Sequence, residues 1–418
     1  MLRSLLTTKL HIPAVRPGLV TRPRLVSRLG EGLHRKLTLV SAPAGFGKTT
    51  LLSTWLHSLE RGSPSGLVTW LSLDASDNDP LRFLAYTSAA LQRVDERLGL
   101  GAGEFLQSAS SPAIEEIIAD LINQIDALLI EQAKARGTGE RPSTEQHLIL
   151  VLDDYHVIEN QATHDALAFL LEHLPGRMHI ALATRTDPPL PIARLRGQGQ
   201  VTELRQADLS FTMDEAAEFL KQTTGIELST RDIAVLSSRT EGWIAGLQMA
   251  SVALKFRQAQ SQTQEAPVRQ SAPTVPGLPP TSEVAARWAR SSEGWQSRDD
   301  IDGFIQAFAG SDRFVMDYLM EEVLQQQPES VQAFLLQTSI LDRLTGSLCD
   351  AMVTYRQLKG GGARLITGQT SLMDLPFASL SGQEMLEHLE RTNLFLVPLD
   401  DHREWYRYHH LFAELLRQ

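Results

Sequence analysis

The residues best placed to do chemistry lie in one short stretch, Ala42-Pro43-Ala44-Gly45-Phe46-Gly47-Lys48-Thr49, followed by Thr50. Gly45 and Gly47 let the main chain curl so that successive N–H groups face a common point. Apolar residues at helical spacing over Thr49–Leu59 predict a helix whose positive end points at the same place. Such a cradle suits a polyphosphate, with Lys48 reaching the β- and γ-phosphates and the Thr49 hydroxyl offered to Mg²⁺. The pattern is the phosphate-binding loop G-x-x-x-x-G-K-[ST], with Ala42 replacing the first glycine.

A second element is the apolar run Leu148–Leu152, which ends in Asp153-Asp154. A buried strand of this kind holds its terminal carboxylate rigidly, so Asp153 is the expected Mg²⁺ ligand. Asp154 is then a candidate to polarise an attacking water. A third element, Ala183-Thr184-Arg185-Thr186-Asp187, follows the next apolar run. Arg185 there either senses a γ-phosphate or pairs with a surface acid. Arg194 and Arg196 either approach a phosphate or a neighbouring subunit, or sit solvated.

These residues need a scaffold, and the chain alternates strand and helix patterns around them. Strands are expected at Lys36–Ser41, Leu67–Leu73, His147–Leu152, His179–Thr184 and Gln200–Leu204. Helices are expected at Pro80–Val94, Ala113–Ala135 and Ala162–Leu174, with a polar loop at Gly137–Gln146. The alternation predicts an α/β fold, a parallel P-loop sheet with ligands at the carboxyl ends of its strands. It occupies residues 36–210, after a proline-broken lead-in at 1–35 that carries a short helix at Arg24–His34. Residues 211–256 read as a helical domain, with helices at Met213–Thr223, Thr230–Ser238 and Gly242–Phe256 and Thr212 as the first N-cap. Residues 257–300, rich in Gln, Ser and Pro, read as a flexible insertion. Helices resume over 301–382, with a loop at Lys359–Gly362. Residues 383–418 give a helix, a hairpin of Leu394–Leu399 and Glu404–Tyr408, and a closing helix, the pattern of a winged helix.

The bulk numbers narrow the function class. The formal net charge of −11 over 418 residues argues against the whole chain binding nucleic acid, which needs a basic face. The single cysteine, Cys349, excludes an internal disulfide and lies in an apolar run that predicts burial. No stretch is long and apolar enough to predict a membrane span, and a cytoplasmic setting is expected.

Beyond the motifs, longer strings resemble a known family. Thr8-Lys9-Leu10-His11-Ile12-Pro13, SAPAGFGKTTLLSTW, LVLDDYHVI, ATRTDPPLPIARLRGQGQVTELRQADLSFT, TEGWIAGLQMA and YHHLFAELL are similar to the MalT-like large LuxR-type regulators. These belong to the signal-transduction ATPases called STAND. The resemblance covers nearly the whole chain apart from 257–300, and the DPPLPIARLRGQG and EGWIAGLQ strings carry more of it than the phosphate loop does.

The resemblance implies a nucleotide-binding sheet, a helical lid and a winged helix. It also implies a helical-repeat sensor and a helix-turn-helix DNA-binding domain, neither recognisable here, so the chain reads as an N-terminal fragment or a truncated relative of such a regulator, the sequence not distinguishing the two. It further implies ATP or ADP with Mg²⁺ as ligands, an inducer sensed elsewhere, self-association in the ATP state and slow hydrolysis that resets the switch. Three more positions follow from it. Val20 and Arg22, beside Pro23, correspond to a segment near the adenine, or form a bare connector. His409 corresponds to a winged-helix histidine that reaches a phosphate of ADP, or is structural, and His410 stands where the family has aspartate. Trp243 lies where the lid approaches the nucleotide, or is a core residue. The competing readings are a stand-alone ATPase or small-substrate kinase, and direct DNA binding by the wing. The second is disfavoured because Asp400, Asp401 and Glu404 accompany Arg403 and Arg407.

Overall fold

A computed structural model describes residues 5–16, 18–62, 67–99, 114–135, 147–263, 303–306, 308, 312–359 and 380–418. The predicted loops at 137–146 and 360–362 and most of the predicted insertion lie outside them.

The chain forms two compact units, and the first comprises residues 1–209 together with Arg391–Leu394. Its centre is a five-stranded sheet of β1 (Leu37–Ser41), β2 (Leu67–Ser72), β3 (Leu148–Asp153), β4 (Met178–Thr184) and β5 (Val201–Arg205). The spatial order is β2-β3-β4-β1-β5, and every pairing is parallel. The three inner strands are buried at every residue, because helices cover both faces of a parallel sheet and leave no solvated side for polar residues. The edge strand β5, by contrast, leaves Glu203 and Arg205 partly exposed. The helices are α1 (Pro23–Glu31), α2 (Lys48–Gly62), α3 (Pro80–Gln92), α4 (Ile114–Ala135), α5 (Gln161–Glu172) and α6 (Ile192–Gly197). α3 shows why a helix starts where it does. Pro80 occupies its first turn, and the Asp79 carboxylate accepts from the amides of Leu81 and Arg82.

The lead-in is not a simple extended strap. Thr7–Leu10 makes a 3₁₀ turn that buries Lys9. The ammonium pairs with Asp77 and, at 3.1 Å, with Asp74, and lies 4.3 Å from the centre of the Tyr86 ring. A buried charge needs such partners, which explains the lysine in the Lys9-Leu10 string.

The second unit comprises residues 210–390 and 395–418. It contains α7 (Met213–Thr224), α8 (Thr230–Thr240) and α9 (Ile244–Thr263), then α10 (Arg313–Leu319), α11 (Glu329–Thr338) and α12 (Gly346–Lys359). α13 (Gly382–Arg391), the antiparallel hairpin β6 (Leu396–Pro398) and β7 (Tyr406–Tyr408), and α14 (His410–Leu416) follow. Thr212 with Glu215, and Ser229 with Asp232, form reciprocal capping boxes at α7 and α8. Cys349 is fully buried in α12, and burial holds its thiol up at about 12.

Both ends of α9 differ from expectation. α9 continues to Thr263, seven residues into the segment read as an insertion. It also starts at Ile244 rather than at Gly242, because Glu241 and Gly242 both adopt left-handed backbone, with φ of +49° and +71°. A Cβ on Gly242 would lie 2.7 Å from the Phe211 carbonyl oxygen and 2.9 Å from the Phe211 nitrogen. Gly242→Ala is therefore expected to cost the second unit about 2–4 kcal/mol, from a strained φ added to a backbone clash. A urea midpoint unchanged in circular dichroism would show that this turn relaxes freely.

Candidate nucleotide site

The phosphate loop follows β1 directly. Its Ala42 amide donates to the Thr184 carbonyl at 3.3 Å, tying it to the end of β4. Gly45 and Gly47 take φ of +78° and +75°, the curl that the motif requires. Ala42, Pro43, Ala44 and Phe46 are buried, and α2 begins at Lys48, as the sequence predicts to within one residue. Thr50, on the first turn of α2, is exposed. Lys48 is buried, and its ammonium donates to the carbonyls of Ala42 at 2.7 Å and Pro43 at 2.9 Å. Burial first, then the Arg185 charge, lower its pKa to about 8, against the opposing pull of Asp154 and Asp153.

β3 delivers the carboxylates. The Thr49 hydroxyl donates to Asp153, 2.9 Å from Oδ2 and 3.1 Å from Oδ1. Burial, then the neighbouring Asp154 charge, push Asp153 up to about 7, while the Thr49 hydrogen bond and Lys48 act the other way. A hydroxyl and a buried carboxylate in contact at a phosphate loop are hard oxygen donors suited to Mg²⁺, which would hold Asp153 ionised. Asp154 follows in left-handed backbone at φ +58°, its side chain half exposed.

Residues that sequence reading passed over hold this turn. The Tyr155 hydroxyl bonds His164 Nδ1 at 2.9 Å inside the core. The Asn78 amide donates to Val157 O at 2.8 Å and its carbonyl accepts from the amides of Glu159 and Asn160. His156 lies within electrostatic reach of Lys48 and Arg185, with Nδ1 3.9 Å from Asp154 Oδ1. Burial, then those two cations, depress its pKa to about 3, so its imidazole is neutral at physiological pH. Only its place in LVLDDYHVI, two residues past the second aspartate, could have flagged it.

The structure thus brings Lys48, Thr49, Asp153, Asp154 and Arg185 together at the carboxyl ends of β1, β3 and β4. Other expected residues have partners of their own. Arg22 donates to the carbonyls of Leu209 at 2.9 Å and Asp208 at 3.5 Å, and Val20 is buried close by in sequence. Arg194 pairs with Glu172 and Arg196 with Glu203, the solvated alternative for both.

His409 belongs to the second unit, where it is fully buried with Nε2 2.9 Å from the Thr240 carbonyl. Its Nδ1 has no hydrogen-bond partner among the described residues, and burial lowers its pKa. Trp243 is also fully buried, its ring against Tyr318, Phe395 and His409, so it is a core residue. On the hairpin, Arg407 makes a two-bonded pair with Glu241 at 2.7 and 2.8 Å, and Arg403 faces Glu390 at 3.4 Å.

A parallel sheet with a phosphate loop after β1, an aspartate ending β3 and a polar strand end on β4 defines a P-loop ATPase. Residues 23–182 match the model of an AAA ATPase domain, and residues 320–418 that of the MalT winged helix domain. The chain thus carries an AAA ATPase domain and a MalT winged helix domain. It is 32% identical over 414 residues to the HTH-type transcriptional regulators MalT of Yersinia enterocolitica and Serratia proteamaculans. That alignment takes in 99% of this chain and 36% of each relative, so the chain spans about a third of their length. Among solved structures, a Walker-type ATPase of Pyrococcus abyssi aligns over 97% of both chains at 14% identity, with a TM-score of 0.49. No helix among the described residues is long and apolar enough to cross a membrane.

Proposed function

We propose that this chain is a nucleotide-dependent switch that binds ATP and ADP with Mg²⁺ and associates with itself in the ATP form. The observation carrying this reading is the contact between Thr49 and Asp153 beside the Lys48 loop, because it joins a phosphate cradle to a divalent-cation ligand set. In this reading Lys48 and the loop amides bind the β- and γ-phosphates, Thr49 and Asp153 hold the ion, and Asp154 orients water. Arg185 answers to the γ-phosphate. Val20 and Arg22 form the adenine side.

Moving a two-state equilibrium from 1:99 to 99:1 takes about 5.5 kcal/mol of differential binding. Charge-assisted contacts to one γ-phosphate are worth an appreciable part of that. Hydrolysis would then serve as a slow reset, since a switch needs residence time. A regulator role with DNA contacts made by other domains comes to this chain from its relatives, and an inducer and a cytoplasmic setting from the family resemblance. The hairpin arginines, both paired with acids, do not support DNA binding by the wing.

Sedimentation velocity of the full chain tests the reading. Mg-ATP is expected to shift it to a larger species and Mg-ADP to leave it as it is without nucleotide. Identical profiles under all three conditions would end the switch reading.

A further inference from the structure

Four residues of the winged-helix sequence cluster with the first unit, and one of them reaches the phosphate machinery. Asn393 adopts left-handed backbone at φ +50°, a conformation asparagine tolerates better than most residues. Its side-chain amide donates to the Ser41 hydroxyl at 3.1 Å and to the Arg185 carbonyl at 2.9 Å. Ser41 ends β1 and directly precedes the phosphate loop, while Arg185 directly follows β4. One amide therefore ties together the two strand ends from which the loop and the arginine start.

The neighbouring contacts make this a built arrangement. Ser41 Oγ donates onward to Asp187 Oδ1 at 3.1 Å. Arg205, at the end of β5, also donates to Asp187 and pairs with Glu203. The Asp187 amide approaches the Arg391 carbonyl at 3.4 Å. Asp187 and Ser41 are thereby engaged with each other, and the Asn393 amide is the group that adds Arg185 to the set.

We infer that Asn393 is a positioning residue for Arg185 and, through it, sets how strongly the site distinguishes a nucleoside triphosphate from a diphosphate. The inference rests on the proposed nucleotide site. Asn393 acts on the Arg185 main chain rather than on the ligand, so removing its amide loosens the group that answers to the γ-phosphate. Contacts to the β-phosphate, made by the loop and Lys48, are left as they were.

Calorimetry on the full chain tests this with ADP and with AMP-PNP, a triphosphate analogue that is not hydrolysed, both with Mg²⁺. Asn393→Gly keeps the left-handed backbone and deletes the amide, and Asn393→Asp keeps the size but cannot donate. In both variants AMP-PNP is expected to bind about five- to tenfold more weakly, the effect of a lost hydrogen bond. ADP affinity is expected to stay within about twofold of the unaltered chain by the same reasoning. Because Asn393 acts through Arg185, Asn393→Gly added to Arg185→Gln should weaken AMP-PNP no further. An unchanged AMP-PNP to ADP ratio, whether both ligands weaken equally or neither does, overturns the inference, as does full additivity with Arg185→Gln. If Asn393→Gly fails to fold, Asn393→Asp decides by the same ratio. Failure of the unaltered chain to bind either nucleotide would instead remove the nucleotide site itself, a result distinct from an unchanged ratio.

Discussion

Replacing Lys48 by alanine is expected to weaken ATP binding by about a hundredfold or more, while leaving the fold intact. The magnitude follows from what the ammonium does. It is a buried cation aimed along the loop, and charge-assisted hydrogen bonds to phosphate are worth about 1.5–3 kcal/mol each, so two of them account for the loss. The fold survives because burial already disfavours the charge, as the lowering of its pKa to about 8 indicates, and the group deleted costs the unliganded protein desolvation energy. Calorimetry checks the affinity and the thermal midpoint without nucleotide checks the fold. An affinity within threefold of the unaltered chain would mean that the triphosphate does not lie on this loop.

The lowered pKa adds a signature with a definite sign. At pH 9 the unliganded lysine is mostly neutral, and a phosphate beside it favours the ammonium. ATP binding at pH 9 should therefore take up close to one proton, seen as a dependence of the binding heat on the ionisation enthalpy of the buffer. At pH 6.5 the lysine is already charged and its uptake should vanish, leaving the proton that Asp153, held up at about 7, gives up to the ion. Lys48→Ala should abolish the uptake at pH 9.

The second large effect is expected at Asp153. Asp153→Asn should lower the rate of ATP hydrolysis by about a hundredfold or more, within the range seen when a group stabilising transition-state charge is removed. The substitution is nearly isosteric and keeps an oxygen that can accept from Thr49, now 2.9 Å from Asp153 Oδ2, so the loss isolates the charge. The same change should remove the gain in ATP affinity that Mg²⁺ brings, which provides a readout even if turnover is very slow. Phosphate release at more than a third of the unaltered rate, with Mg²⁺ still strengthening ATP binding, would show that the carboxylate is not the ion's ligand.

Much of this site was legible because its chemistry is local. The curl of a phosphate loop depends on glycines two positions apart and on a helix starting at the next residue, so Gly45, Gly47 and Lys48 announce it without tertiary information. Asp153 was legible because a strand buried on both faces must be apolar throughout, and an aspartate at its end has to sit where the sheet opens. Less was visible where a residue's role depends on what comes beside it from far along the chain. His156 reads as one more polar residue after a strand until Lys48 and Arg185 are found next to it. The start of α9 was misplaced because Gly242 continues a helical pattern in sequence but takes a left-handed conformation against Phe211.

By itself the sequence determined the loop, the strand that presents the carboxylate, the αβ alternation and the helices with their capping boxes, since each depends on residues within a few positions of one another. Tertiary structure alone decided that β4 lies between β1 and β3, which sets Arg185 beside both the loop and the aspartates. It also decided that Asn393, more than two hundred residues further on, bonds the ends of β1 and β4. The physical reason is that parallel strands are joined by long crossovers, so their lateral order, and any contact across it, is set by the packing of the whole sheet and not by neighbouring residues.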